Sequence, residues 1–535
     1  MLNGGLSLKK IKRLNTIGSC SVAALLALSV AACSSGTPDK PSAAQPQTPA
    51  PQQPEKKETA APPQPVTYKI FRNFGAPEYP ADGGKGHKEV LAGLEKAGLK
   101  GIDYQVNLAS GTEYFTKLNL LASSGDLPDF FNVDIPTLTR FADEGLIMPL
   151  DDLLKNAPNV GKLVISKDLD ALKYKGKQYG LPVGYRPEAF NGPDVSGFNV
   201  RQDWLDNLGL KQPKTLDEFY NVLKAFTNDD PDKNGKKDTY GLGAAKPSNP
   251  QNTTFAAIFG AYGIIPNFWH ERDGQLKQGM VLPESKEVLA LLQKWFKEGL
   301  IDPEFVITEQ KQLDEKVVGS KVGIFEGNAF NVDPKQPVNL ALKKATPTAN
   351  VQLLAPPSGA GGKNGWPENM PAYNDIRAIS AKAKNPEQLM KLIDWSASDA
   401  GFPLVTYGVE NEHYTFDKAK NRINMTVNSY SDLYAQGFSN PIRFIQVVDR
   451  RWMVDEALTA METANKYTVK NQFWSTTQAM LDYPDLPKLW SEYYAKIVTG
   501  TWPVDKWDEF VTKYYSQGGK EIEKQVNEEW KKTKK

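Results

Sequence analysis

The chain has 535 residues, of which 40% are hydrophobic, 10% aromatic and 24% charged, with a net charge of +1. That length calls for two or three lobes, and a mean hydropathy of −0.48 argues against a multispanning membrane protein. Lys9, Lys10, Lys12 and Arg13 lie in a segment expected to be removed, which leaves +1 − 4 = −3 and no basic footprint for nucleic acid.

The N-terminus reads as a lipoprotein signal peptide over residues 1–32. A basic "KKIKR" precedes "SCSVAALLALSVAAC", an apolar run too short and too alanine-rich for a membrane span. It closes on "VAAC", where Cys33 is the expected lipidation site, and an ordinary secretory cleavage is the alternative. Cys20 would leave with the signal, so no disulfide is expected. Residues 33–65 read as the lipidated cysteine and a disordered tether. Nine of the 32 residues Ser34–Pro65 are proline and none is a large apolar residue, so the segment cannot bury enough surface to fold. At about 3.1 Å per residue it reaches roughly 100 Å.

Order is expected to begin at "VTYKIFRNF", a strand from Val66, after which strand-like and helix-like segments interleave as in α/β folds. "SGDLPDFF" reads as a turn at Gly125 and Pro128 leading into a strand at Phe130–Phe131. "KEVLALLQKWFKEG" is an amphipathic helix with Val288, Leu291, Leu292, Trp295 and Phe296 on one face and a stop at Gly299. "NPEQLMKLIDWSA" opens with Asn385 as N-cap and Pro386 at the first helical position, burying Leu389, Leu392 and Ile393.

"DPDKNGKKDTYG" (230–241) has the front half of a calcium loop of the EF-hand type. Asp230, Asp232, Asn234 and Asp238 offer oxygens at alternate positions, Lys236 offers its backbone carbonyl, and Gly235 suits the sharp turn. Three carboxylates so close repel one another without a cation. Gly241 stands where the bidentate glutamate belongs, and "YGLGAA" does not read as an exiting helix. A solvated turn without metal is the alternative.

Eight phrases occur in an order that resembles the extracellular solute-binding proteins of bacterial ABC importers, family 1, and within it the LplA-like and alginate-oligosaccharide-binding lipoproteins. They include "LASSGDLPDFFNVD" (121–134), "FADEGLIMPLDDLL" (141–154), "YKGKQYGLPVGYR" (174–186), "KWFKEGLIDPEF" (294–305), "GSKVGIFEGN" (319–328) and "IVTGTWPVDKWDEFV" (497–511). The resemblance implies an α/β, periplasmic-binding-protein-like fold: two lobes joined by a hinge, with a ligand cleft between them. It places crossings near Tyr185–Gly197 and Tyr373–Ala378. Lobe 1 would then hold 66–190 and 376–410, and lobe 2 would hold 191–375 and 411–535. It also implies that Asn132 and Asp134 lie near the cleft, although a loop that only caps its strand is the alternative. Tyr185, Arg186, Asn328, Tyr373 and Arg377 would face the cleft, with Arg201 a further choice. In the alginate-oligosaccharide binders a similar loop is closed by an acidic residue; Thr239 stands at that position here, so its hydroxyl, a water or a residue from elsewhere would supply the remaining ligand.

The function implied is a lipid-anchored receptor on the extracellular face of a Gram-positive cell membrane. As a monomer it would deliver an oligosaccharide to separate permease and ATPase subunits, with calcium in a structural role. Sugar faces call for aromatic surfaces, and Trp269 and Trp366 stand in segments without periodicity to bury them. Catalytic residues are not expected. His87, His270 and His413 share no metal-binding spacing, no G-x-S-x-G elbow occurs, and "GAGGKNG" (359–365) lacks the ending of a phosphate loop. Paired carboxylates leave no mark in spacing, so a secreted polysaccharide-processing enzyme stays as an alternative, as does the same fold binding a peptide or another solute.

Overall fold

The computed structural model describes residues 65–164, 166–182, 184–186, 196–247, 252–368 and 375–533. The signal segment, Cys33, the tether and Tyr373 lie outside them.

Strand β1 (Val66–Asn73) is hydrogen-bonded on both sides, in parallel to β2 (Ile102–Ala109) and to β3 (Phe130–Val133). A later strand, β9 (Ile376–Ile379), closes the sheet antiparallel to β3, giving the order β9-β3-β1-β2. Side chains alternate across a strand, and here both faces are apolar. Ile70, Phe130 and Ile379 enter one core, while Phe71, Phe131 and Ala378 enter a second on the opposite face. Helix α1 (Gly84–Lys96) links β1 to β2, and α2 (Gly111–Ser124) links β2 to β3. Gly125 ends α2 in the left-handed region at φ 77°, which only glycine adopts without strain. Helix α3 (Ile135–Asp143) follows β3 directly, capped by Asp134, whose carboxylate accepts the Thr137 N–H at 2.9 Å.

A second mixed sheet has the order β8-β5-β7-β6, built from β5 (Ser196–Arg201), β6 (Tyr240–Gly243), β7 (Val322–Asn328) and β8 (Val351–Leu354). Helix α4 (Leu216–Asn228) opens on a capping box between Thr215 and Glu218. Helix α5 (Pro283–Lys297) is the expected amphipathic helix, and Gly299 follows it at φ 74°. Its buried stripe is Val288, Leu289, Leu292 and Trp295, with Leu291 and Phe296 partly buried at the margin. This lobe's core is large and rich in indole: Trp204, Trp295, Trp366 and Trp490 are each below 2% exposed. Helix α6 (Pro386–Ser396) packs on the first sheet and buries Leu389, Leu392 and Ile393 as expected. Asn385 precedes it at φ 45° and makes no side-chain cap bond, so Pro386 starts the helix without that help.

One boundary differs from the sequence reading. The stretch beyond residue 410 does not pass at once to the second lobe. Tyr414, Ile423, Tyr430, Phe438, Phe444 and Val447 pack in the first core, and residues from Val448 onward join the second. A further crossing therefore lies at β10 (Val447–Asp449), which pairs in parallel with β4 (Gly184–Arg186), Val447 opposite Gly184 and Asp449 opposite Arg186. Short amphipathic pieces of this kind carry no lobe label in sequence.

Candidate ligand-binding site

Strands β1 and β3 end, and β9 begins, at the same edge of the first sheet, and the register sets Arg377 directly opposite Asn132. At this edge in open α/β sheets the strand ends open onto a crevice. Both residues are buried, at 1% and 4% exposure. The Arg72 Nη1 donates to Asn132 Oδ1 at 2.9 Å and to Asp375 Oδ1 at 3.2 Å. Arg377 Nη2 donates to the other Asp375 oxygen at 2.5 Å, and the Asn132 amide donates to Asp375 as well. Burial alone would raise the Asp375 carboxyl, but the Arg377 and Arg72 guanidiniums overcome it and hold it at about 2. Burial, with Arg72 alongside, pulls Arg377 down to about 9 against the attraction of Asp375. Asp375 and Arg377 are thus both charged at neutral pH. Arg377 Nη1 also donates to the Arg443 backbone carbonyl, and the Arg443 guanidinium, 5% exposed, donates to Ser439 Oγ at 3.4 Å and lies 5.8 Å from the Trp452 ring.

A second polar knot sits at the β4–β10 crossing. Asp449, fully buried, accepts the Tyr407 hydroxyl at 2.7 Å and the Arg451 guanidinium through Nη2 at 2.6 Å and Nε at 2.9 Å. Beside it the two lobes touch. Phe330, just past β7, lies 5.5 Å from Trp452 and 6.4 Å from Tyr430, ring centre to ring centre. The Tyr430 hydroxyl donates to the buried Asp333 at 2.6 Å, and the Lys335 ammonium donates to the Met425 and Val427 carbonyls at 2.7 and 3.1 Å.

Of the residues expected at the cleft, Asn132 and Arg377 are brought together. Asp134 serves as a helix cap. Asn328 ends β7 and accepts the Phe330 N–H at 3.0 Å. Tyr185 and Arg186 lie on β4 by backbone, with side chains outside the described residues. Three expectations are corrected. Arg201 is fully buried and ion-paired to Asp203 at 2.7 and 2.9 Å, with its guanidinium 4.9 Å from the Trp204 ring, at the end of β5 remote from the crossing. Trp269, 3% exposed, belongs to a hairpin strand inside the second core. Trp366 is fully buried, its indole N–H donated to the Ala464 carbonyl at 2.8 Å. Lack of helical periodicity did not mean exposure: both tryptophans sit on short strands that the core encloses. Arg72, Asp375, Arg443 and Asp449 were missed, yet a signal existed. "YKIFRN" and "DIRAI" each set an arginine within an otherwise apolar strand, where a charge needs a buried partner.

In the acidic loop, Asp230 turns its carboxylate to the amides of Asn234 and Gly235 at 3.0 and 2.9 Å. The Asn234 side-chain amide lies between Asp232 Oδ2 at 2.8 Å and Asp238 Oδ1 at 3.2 Å, and its Oδ1 accepts the Lys236 N–H. These side chains converge, and Asp232 Oδ1 is buried with no hydrogen-bond partner. Burial, with Asp230 beside it, raises the Asp232 carboxyl. The Lys321 ammonium meets Asp238 at 2.5 Å. These residues fit a cation, although among the described residues no group of three or more acidic, histidine or cysteine side chains is already set to grip one. Thr239 is corrected as a ligand: its buried hydroxyl donates to the Phe226 carbonyl at 2.7 Å. The missing glutamate has a steric reason. A Cβ at Gly241 would lie 2.6 Å from the Leu223 carbonyl oxygen, because β6 begins at once and packs on α4.

Two α/β lobes joined by crossing strands, with a buried polar network at the crossing, define a protein built to hold a solute between its lobes. Residues 78–401 match the family described as "Bacterial extracellular solute-binding protein", and the chain belongs to it. It is accordingly a binding protein and not an enzyme. It is 29% identical over 441 residues to the polygalacturonan/rhamnogalacturonan-binding protein YtcQ of Bacillus subtilis, covering 78% of this chain and 83% of that one. It is 31% identical over 269 residues to the fructooligosaccharide ABC transporter substrate-binding protein FusA of Streptococcus pneumoniae, 48% of each chain. Among solved structures, the alginate-binding protein AlgQ2 without calcium ion superposes with a TM-score of 0.68 at 23% identity, covering 88% of this chain and 98% of that one. FusA in complex with kestose superposes at 0.69 and 22% identity, covering 88% and 99%. No helix among the described residues is long and apolar enough to cross a membrane.

Proposed function

We propose that this chain is the lipid-anchored substrate-binding component of an ABC importer, capturing an oligosaccharide between its lobes and handing it to a separate permease driven by an ATPase. The observation that carries this reading is the similarity to YtcQ, which runs through both lobes, combined with the polar edge of the first sheet facing the crossing strands. The N-terminal lipobox reading supports tethering at Cys33 to the extracellular face of the membrane of a Gram-positive cell. Closure of the lobes over ligand selects the closed state without covalent chemistry. A thermal-shift screen of oligosaccharides against peptides tests it. A saccharide at 100 times its dissociation constant is expected to add about 2.7 kcal/mol of stability, whereas stabilisation by peptides alone overturns the reading.

The acidic loop holds calcium as a structural clip in this reading, through Asp230, Asp232, Asn234 and Asp238 with the Lys236 carbonyl. The ion would take the place now filled by the Asn234 amide and would satisfy Asp232. A solved FusA structure is of an EF-hand mutant, so that relative carries such a loop. Millimolar calcium is expected to raise the melting temperature of the wild-type protein. Asp232→Ala combined with Asp238→Ala is expected to abolish that rise. Identical melting of the wild type in calcium and in chelator refutes the clip.

A further inference from the structure

A groove of about 530 Å³ lies against the second sheet and shares no residue with the polar edge of the first sheet or with the crossing strands. Cavities of roughly 300–1,000 Å³ are the usual size of a ligand site. Residues 350–353 line it in succession, together with side chains from the helices Pro337–Ala345 and Asp455–Lys466. Strand β8 is the outer strand of its sheet and pairs, among the described residues, with β5 alone. The Gln202 N–H donates to the Asn350 carbonyl at 2.8 Å, and Gln352 and Leu354 face Val200 and Phe198 in the same frame. Antiparallel ladders alternate, so the N–H and C=O of Val351 and Leu353 point away from β5, and they meet no partner among the described residues. Strand β8 carries neither charge nor proline, the usual guards against a further strand. Asn339, 6% exposed, spends its amide nitrogen on the Asn331 and Asp333 carbonyls at 2.6 and 2.8 Å, which leaves its oxygen without a donor. Lys343 and Glu456, one from each helix, line the groove without an ionic partner among the described residues. Asp455 meets Arg422 at 3.0 Å, yet its side chain keeps 90% of its exposure. No aromatic ring is among the lining residues, so the groove lacks the flat face on which sugars stack.

We infer that this groove takes an extended peptide segment, bearing both a basic and an acidic side chain, which adds to the second sheet as a further strand along β8. The peptide main chain pairs with the outward groups of Val351 and Leu353, the mode in which backbone hydrogen bonds give affinity and side-chain contacts give specificity. Its basic side chain meets Glu456 and Asp455, its acidic one meets Lys343, and one of its donors reaches the Asn339 oxygen. A saccharide has neither the backbone spacing nor the two charges that this surface calls for. The groove is separate from the interlobe cleft, and its reading does not depend on what the cleft holds.

The test is fluorescence anisotropy of the wild-type protein with a fluorescein-labelled, amide-capped peptide of sequence Thr-Lys-Thr-Glu-Thr. Saturable binding is expected, with a dissociation constant below about 1 mM. Two further copies of the peptide are N-methylated, one on its odd and one on its even backbone nitrogens. Strand pairing uses alternate residues, so one copy is expected to lose about tenfold or more in affinity and the other to stay within about threefold. Val351→Pro removes an outward N–H that the ladder with β5 does not use, so the fold should tolerate it; Glu456→Lys reverses a charge of the groove. Each is expected to weaken binding about tenfold, with an unchanged melting curve. Absence of saturable binding overturns the inference, as does equal binding of the two methylated copies. Undiminished binding to both variants places the peptide elsewhere, the interlobe cleft included, and also overturns it. A loss in Glu456→Lys alone, with Val351→Pro binding normally, shows charge attraction without an added strand and does the same.

Discussion

Replacing Asp375 with alanine is expected to destabilise the folded protein by about 3–5 kcal/mol, the usual consequence of stripping a buried guanidinium pair of its counter-charge. Arg72 and Arg377 both lean on this carboxylate, and Asn132 donates to it as well, so one substitution strands three donors. Asp375→Asn keeps the shape and one acceptor and should fall between the wild type and alanine in urea unfolding. The same residue predicts a pH dependence. Its folded-state pKa of about 2 lies below the unfolded carboxylate value of about 3.9. A depressed acid stabilises the folded state above the unfolded pKa, and that contribution is lost as pH falls from about 4 to about 2. The difference is on the order of 2–3 kcal/mol. Unfolding free energies of the wild type and Asp375→Asn should therefore converge in that window; a constant gap from pH 5 to pH 2 contradicts the assignment.

Trp366→Ala should be about as damaging, at roughly 3–5 kcal/mol, but for a different reason. The indole fills the second core, lies against Gly197 so closely that a Cβ there would come within 2.7 Å of the ring, and meets Tyr467 edge-on at 6.1 Å. Removing it leaves a cavity and takes the indole donor from the Ala464 carbonyl, which keeps the Tyr467 N–H. Ligand affinity, measured at a temperature where the variant stays folded, is expected to remain within twofold of wild type. A loss of tenfold or more with an unchanged melting temperature would restore Trp366 as a sugar-stacking residue.

The two outcomes separate residues that were legible in sequence from those that were not. Strand β1, the turn at Gly125, helix α5 and the proline start of α6 were readable because they rest on local rules: alternation, left-handed glycine, a 3.6-residue stripe and a fixed proline φ. The order of short phrases was enough for the family, since each phrase is a local turn or strand end. The acidic loop was readable as well, including its mismatch at Gly241. The reason for that mismatch was not, because it lies in the backbone of Leu223 eighteen positions earlier.

Burial and pairing were decided elsewhere. Nothing near Trp269 or Trp366 announced a core, since that core is assembled from segments between Phe198 and Trp530. Arg201 read as a possible ligand contact until Asp203, two residues on, proved to be its buried partner. Arg72, Asn132, Asp375 and Arg443 span more than 370 positions of chain, and only the pairing of β9 beside β3 sets them at one edge. By itself the sequence determined the elements, the family and the residues able to carry charge or bind a cation, because these depend on neighbours a few positions apart. The tertiary structure alone decided which charges meet, which rings are enclosed and where the chain returns between lobes, because those are contacts across hundreds of residues that no local pattern encodes.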